Sequence, residues 1–277
     1  MLPAIHQTIS SMHERYSEPI TLKNLAAEVF VSPFHFSRTF SKITGVTPGR
    51  YLTAVRIFEA KRLLLTTSLT ISNIVCSVGY SSVGTFTSRF TRSVGMTPTQ
   101  YRAPEVRDLL VAVSPQFQRM PSLELLQEAG GGLIPAQRAG GSIAGKIQMP
   151  AEFGPGNVLL GVFADPIPQR GPVAFTHVAA DSWATEAFIG NVPAGRWVVI
   201  AIAEHPAATT PEERFSIGAT RGPITIKEGE VTGLTVQMRR MRPIDPPLAI
   251  SLGDANTPVR LSPPAPGIAA GDRLLRC

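Results

Sequence analysis

Phe34, Ser37, Arg38 and Ser41 are spaced so that all four fall on one side of an α-helix. Together they suit contact with the edges of nucleic-acid bases. A guanidinium offers two parallel donors to O6 and N7 of guanine, a serine hydroxyl donates or accepts, and a phenyl ring presses on a thymine methyl. Fifty positions on, the same places hold Gly84, Thr87, Ser88 and Thr91, smaller groups of shorter reach. Hydroxyl and basic residues flank both sets: Ser32, His35 and Lys42 around the first, Ser82, Arg89 and Arg92 around the second. Such side chains suit phosphate contacts, which fix register without reading sequence. Each residue also has a plainer use. Arg38 fits an ordinary solvated helix face as well, Phe34 fits a half-buried position, and His35 fits the surface.

A tandem repeat shifts that balance. At an offset of fifty, Ser32 pairs with Ser82, Phe36 with Phe86, Phe40 with Phe90, Gly45 with Gly95, Thr47 with Thr97, Pro48 with Pro98 and Tyr51 with Tyr101. Upstream, Thr21 and Leu25 pair with Ile71 and Val75. Each copy reads as helix, tight turn, helix. In the first, Thr21 caps one helix and Ser32 the next, with Pro33 at the favoured first position. Phe36, Phe40 and Ile43 recur at helical spacing and point inward, and Gly45 ends the helix. The apolar positions from Tyr51 to Leu64 predict one long helix joining the copies, and residues 5–16 predict an opening helix.

Charge follows the repeat. Residues 1–107 hold twelve Lys and Arg against five Asp and Glu, whereas the remaining residues hold fourteen against fifteen. The whole excess of +6 therefore sits on the repeated part, as expected of a surface that neutralises phosphates. No run of eighteen apolar residues suggests a membrane span, and the N-terminus lacks a basic stretch followed by an apolar one. The two cysteines, Cys76 and Cys277, indicate neither a disulfide framework nor a thiolate metal cage. A cytoplasmic protein without cofactor or metal is expected.

The runs VSPFHFSRTFSKITGVTPGRYL and ISNIVCSVGYSSVGTFTSRFTRSVGMTPTQYR closely resemble the DNA-binding domain of AraC/XylS-type transcriptional regulators. The resemblance covers residues 20–102 and includes Gly79-Tyr80 before the second recognition helix, together with Gly95, Thr97-Pro98 and Tyr101-Arg102. It implies two helix-turn-helix units entering successive major grooves on one side of the duplex. It also implies base-contacting positions at Phe34, Ser37 and Arg38 in the first unit, and at Val83, Gly84, Thr87 and Ser88 in the second. Ser88 stands where many members carry arginine, so the second unit is expected to read bases less strongly. The DNA-binding part comes first in this chain, the reverse of the founding sugar regulator, so sugar binding does not carry over.

Residues 104–141, with Pro104, Pro115, Pro121 and glycine pairs and triplets, are expected to be a linker containing a short helix over 123–129. Beyond them, strands are predicted at 142–148, 158–163, 184–189, 196–203 and 232–238. Trp197 to Ala203 is apolar on both faces and should be central. An antiparallel β-sandwich over 142–240 is the economical architecture, and it resembles a carboxypeptidase regulatory-like or transthyretin-like fold. A Pro-rich arm, extended or disordered, is expected over 241–277. His177, Asp181, Glu204 and His205 lack the spacing of a metal site. Trp183, Phe188 and Trp197 are expected in the sandwich core, with a ligand pocket as their alternative use.

The sequence thus predicts an all-α DNA-binding domain over 1–103 followed by a sandwich that senses a ligand, mediates dimerisation or both. Duplex DNA is the expected partner, and the reading leaves room for a small-molecule effector, RNA polymerase and a second copy, with no membrane. Its rivals are an enzyme or carrier built on the sandwich and an architectural DNA binder. No nucleophile elbow, P-loop or dinucleotide fingerprint is present.

Overall fold

The computed structural model describes residues 1–114, 116–130, 140–150, 152–180 and 183–253. Its N-terminal part is helical: α1 (Leu2–Glu14), α2 (Leu22–Glu28), α3 (Pro33–Thr44), α4 (Pro48–Thr66), α5 (Ile71–Ser77), α6 (Val83–Val94), α7 (Pro98–Tyr101) and α8 (Pro104–Asp108). Side-chain caps set the starts. Thr21, Ser32, Thr47, Thr70, Ser82 and Thr97 each accept a hydrogen bond from the backbone N–H three residues on, meeting a donor that the first turn leaves unpaired. Gly45 and Gly95 stop α3 and α6 in the left-handed conformation, at φ 81° and 88°.

Each unit closes over its own aromatic core. Phe36 and Phe40 are buried with Ile5, Ile9, Leu25 and Tyr51, and Phe86 and Phe90 with Ile74, Val75, Val78 and Tyr101. Helix α4 runs through both, giving Tyr51, Leu52 and Val55 to the first and Ile57, Phe58 and Leu64 to the second. The repeat differs in one detail from the uniform offset of fifty. Thr21 corresponds in the fold to Thr70, not Ile71, since both cap the first helix of their unit; buried Leu25 likewise corresponds to Ile74. The turn of the second unit is one residue longer, which restores the offset of fifty from Ser32 and Ser82 onward.

The C-terminal region is β-rich with several sheets. Its elements are β1 (Leu110–Val113), β2 (Gln118–Arg119), α9 (Leu123–Gly130), β3 (Gly140–Gln148), β4 (Gly156–Phe163), β5 (Ala174–Ala180), β6 (Ala184–Pro193), β7 (Gly195–Glu204), α10 (Pro211–Arg214), β8 (Phe215–Ala219), β9 (Ile224–Ile226), β10 (Val231–Gln237), β11 (Arg239–Arg240) and β12 (Leu248–Ser251). One sheet has the order β10-β3-β6, a larger one β11-β8-β7-β4-β5 with β9 added to β7, and a third β12-β1-β2. Strand β7 is central, as its two apolar faces require: Val199, Ala201 and Ala203 join the core beneath β3 and β6, while Val198, Ile200 and Ile202 face β1 and β12. The expectation of a wholly antiparallel arrangement is corrected by β10, which pairs parallel with β3. Alternating apolar residues define which face is buried but carry no information on strand direction.

The third sheet is built from stretches expected to be linker and arm. Strand β1 pairs antiparallel with β12, from Leu110 opposite Ser251 to Val113 opposite Leu248, and both strands are buried. Leu110, Ala112 and Ala249 pack into the helical core, whereas Val111, Val113, Leu248 and Ile250 pack on the large sheet. This layer is apolar on both sides because it is the seam between the helical and β parts. The rest of the expected arm, 254–277, lies outside the described residues.

A second seam is the loop between β4 and β5. Asp165 pairs with Arg50 at 2.8 Å, and Ile167 enters the first unit's core beside Ile244. Arg170 reaches the carbonyl of Arg92 at 3.4 Å and lies over Gly95 in the second unit. Between them Lys61 of α4, fully buried, donates from Nζ to the carbonyls of Gln169 and Ala249, each at 2.6 Å. One loop therefore touches both units and the helix that joins them.

Candidate nucleic-acid interface

Helix α3 has two unlike faces because its phenylalanines recur every four residues. Phe36 and Phe40 lie 5.6 Å apart between ring centroids, and Phe40 meets Tyr51 edge-on at 5.6 Å. That packing fixes the rotation of the helix and turns the other side outward. Phe34, His35, Arg38 and Lys42 are exposed, and Ser37 and Ser41 are half-buried. Phe34 is 78% exposed, a large apolar surface for a residue at the tip of a helix. Ser32 is exposed too, and its hydroxyl oxygen accepts from the His35 N–H at 3.3 Å, which leaves its O–H to donate outward.

Helix α6 repeats the interior. Phe86 and Phe90 are 5.5 Å apart and Phe90 meets Tyr101 edge-on at 5.6 Å. Ser82, Val83, Gly84, Ser88, Arg89 and Arg92 are exposed and Thr87 is half-buried. A Cβ on Gly84 would meet nothing nearer than the Ser82 oxygen at 3.9 Å, so packing within the protein does not call for glycine there. Among the described residues, Arg38, Lys42, Arg89 and Arg92 form no ion pair, whereas Arg15, Arg50 and Arg62 each have a carboxylate partner. Four cations thus stand on two outward helix faces without internal neutralisation.

The turns differ in a way that sequence reading missed. The residue that ends the α2–α3 turn in the left-handed region is Phe30, at φ 56°, and its counterpart is Gly79, at φ 77°. In the second unit glycine is obligatory, because a Cβ would lie 2.7 Å from the carbonyl oxygen of Tyr16 and 2.8 Å from that of Ser17. Phe30 projects into solvent and is 96% exposed. The signal was present in the alignment of the copies, but the uniform offset placed Phe30 opposite Tyr80 and hid it.

In the β-rich region the expected core aromatics divide. Trp197 is half-buried against the core between the sheets and donates from Nε1 to the Pro193 carbonyl at 2.7 Å. Trp183 and Phe188, expected in that core, are instead 67% and 59% exposed. Phe188 alternates with buried Ala187 and Ile189 on β6, so its side chain lies on the outer face. There it borders a shallow concavity of about 690 Å³ with Ala144, Lys146, Glu186 and Gly233. His205 stacks on Phe153 at 4.8 Å and its Nε2 lies 2.9 Å from the Ser216 hydroxyl, and burial lowers its pKa. Glu204 pairs with Arg214 at 2.7 Å, and Asp181 lies outside the described residues. Among the described residues no group of three or more His, Cys, Asp and Glu is placed to hold a metal. No helix among them is long and apolar enough to cross a membrane.

Residues 25–104 match the family described as a helix-turn-helix domain. The chain is 34% identical over 97 residues to the uncharacterized HTH-type transcriptional regulator YobQ of Bacillus subtilis, covering 35% of this chain and 40% of that protein. It is 36% identical over 89 residues to the bifunctional transcriptional activator/DNA repair enzyme AdaA of the same organism, covering 32% and 42%. Among solved structures, the C-terminal domain of the two-component response regulator yesN from Fusobacterium nucleatum is 33% identical over 35% of this chain and 95% of that one, with a TM-score of 0.34. The chain thus spans about two-fifths of the length of these curated relatives. The N-terminal part is a helix-turn-helix domain.

Proposed function

We propose that the chain is a sequence-specific DNA-binding transcription regulator that sets α3 and α6 into successive major grooves on one side of the duplex. The observation that carries the reading is the set of four unpaired cations, Arg38, Lys42, Arg89 and Arg92, on the outward faces of two matched helices within a helix-turn-helix domain. The names of the similar regulators support it for the stretch they match.

On this reading residues 1–103 bind double-stranded DNA in the cytoplasm, 142–240 form a sandwich for ligand sensing or dimerisation, and no catalytic step is assigned. Phe34, Ser37, Arg38 and Ser41 read bases from the first helix, and Val83, Gly84, Thr87 and Ser88 from the second. Ser32, His35, Lys42, Ser82, Arg89 and Arg92 hold phosphates. A small-molecule effector and a second copy of the chain are the partners of the C-terminal part, and RNA polymerase is a further partner of the regulator.

Selection of bound duplexes from random DNA, followed by titration of the selected duplex against salt, tests the reading. A recurrent sequence should emerge, and affinity should fall steeply as salt rises, because each neutralised phosphate releases counterions. Replacing Arg89 and Arg92 by alanine should lower the slope of log K against log salt by about one for each phosphate left without its cation. Protection of DNA without sequence preference would favour the architectural rival, and salt-independent binding would remove phosphate recognition altogether.

A further inference from the structure

Phe30 is an exposed aromatic residue held at positive φ, a conformation that costs a bulky side chain energy and that glycine adopts freely. Burial does not offset that cost, since a phenyl ring 96% open to water gains nothing from folding. The fold does not demand the side chain, as Gly79 serves in the same place of the second unit. Outliers of this kind persist where a function uses them.

Position indicates the use. Phe30 lies two residues before Ser32, the cap of α3, and four before Phe34, itself 78% exposed. The corresponding positions of the second unit are Gly79 and Gly84. Both large apolar groups of the first unit are therefore matched by glycines, Phe30 in the turn that leads into α3 and Phe34 in its first turn, the end that helix-turn-helix domains lead into the major groove.

We infer that Phe30 is a specificity-determining DNA contact, which adds to exposed Phe34 a second apolar group, in the turn before α3, to cover thymine methyls and adjoining deoxyribose. The inference rests on the DNA-binding reading above. It makes the first unit prefer thymine-bearing steps, where the second offers no apolar side chain at either position: Gly84 stands open and Gly79 lies against the backbone of Tyr16 and Ser17. A protein surface is the competing partner for an exposed ring, and the same experiment decides against it or for it.

The test uses the full chain, its Phe30→Gly variant, and a duplex that the parent chain has selected from random DNA. Thermal melting should show Phe30→Gly at least as stable as the parent, because the left-handed backbone strain is removed and no buried surface is lost. Binding to the selected duplex should weaken by roughly five- to tenfold, the scale of a single apolar interaction with a base, with binding to random DNA little changed. Repeating the selection with the variant should relax a thymine preference at the edge of the first half of the site. A variant that binds the selected duplex as tightly as the parent overturns the assignment and gives the ring to a protein partner. A drop in melting temperature overturns it as well, since Phe30 would then support the fold. Failure of the parent chain to select any sequence is a different result, one that removes the DNA reading itself.

Discussion

In the first helix-turn-helix unit the phenyl rings of α3 are 5.6 Å apart and the second of them meets Tyr51 at 5.6 Å and 85°; in the second unit the corresponding values are 5.5 Å, 5.6 Å and 84°. The outward faces share far less. Where the first unit presents Phe34, Ser37 and Arg38, the second presents Gly84, Thr87 and Ser88, and exposed Phe30 has as its counterpart Gly79, packed against the backbone of Tyr16 and Ser17. Close packing tolerates little change in ring size or angle, so duplicated interiors stay alike. A surface group meets no such constraint from its own fold, and its identity reports what it touches in another molecule.

The largest expected effect tests the sameness of the interiors. Phe40→Ala and Phe90→Ala each remove a fully buried ring and should each cost about 3 to 5 kcal/mol in denaturant unfolding. A clear inequality between the two would show that one core can relax where the other cannot. The next effect tests the difference outside. Arg38→Ala should cost about 1 to 3 kcal/mol on the selected duplex and relax preference at one base pair. Ser88→Ala, at the corresponding position, should cost well under half of that, and equal losses would abolish the proposed division of labour.

The smallest effect concerns the helix on which both units ride. Lys61 is buried with Tyr101 as the titratable group facing it, and loss of hydration lowers its pKa to about 7 from 10.5. Between those values the unfolded chain holds the proton more firmly than the folded one, so stability should rise with pH. The Lys61 share is about 1 kcal/mol from pH 7 to pH 8, and Lys61→Met should remove that share of the pH dependence of melting. A variant with an unaltered profile would mean that Lys61 keeps its ordinary proton affinity in the fold.

How much of this could be read from the chain depends on how local the determinants are. Phe36, Phe40, the caps Ser32 and Ser82, and the stop at Gly45 and Gly95 are set by neighbours within a turn or two, and the residues announce them. The outward position of Arg38 followed from theirs. The seam between the two parts was not legible, because Val106 and Ser251 bond across 145 residues and prolines nearby suggested breakage. Lys61 was missed for another reason: lysine ordinarily marks solvent, and the loop bearing Gln169 together with Ala249 of β12 makes it interior. Phe188 erred in the opposite sense, an aromatic on a strand whose outer face remains open.

The pairing of β1 with β12 also sets an order of events during synthesis. Residues 1–108 include every helix of the helix-turn-helix part, and N-terminal domains fold as the ribosome delivers them. Strand β12 arrives only with Leu248–Ser251, on the order of ten seconds later at ordinary elongation rates. For that interval the nascent helical part lacks the groups that later close it: Ile167 and Ile244 in one core, Ala249 in the other, and the two carbonyls that hold Lys61.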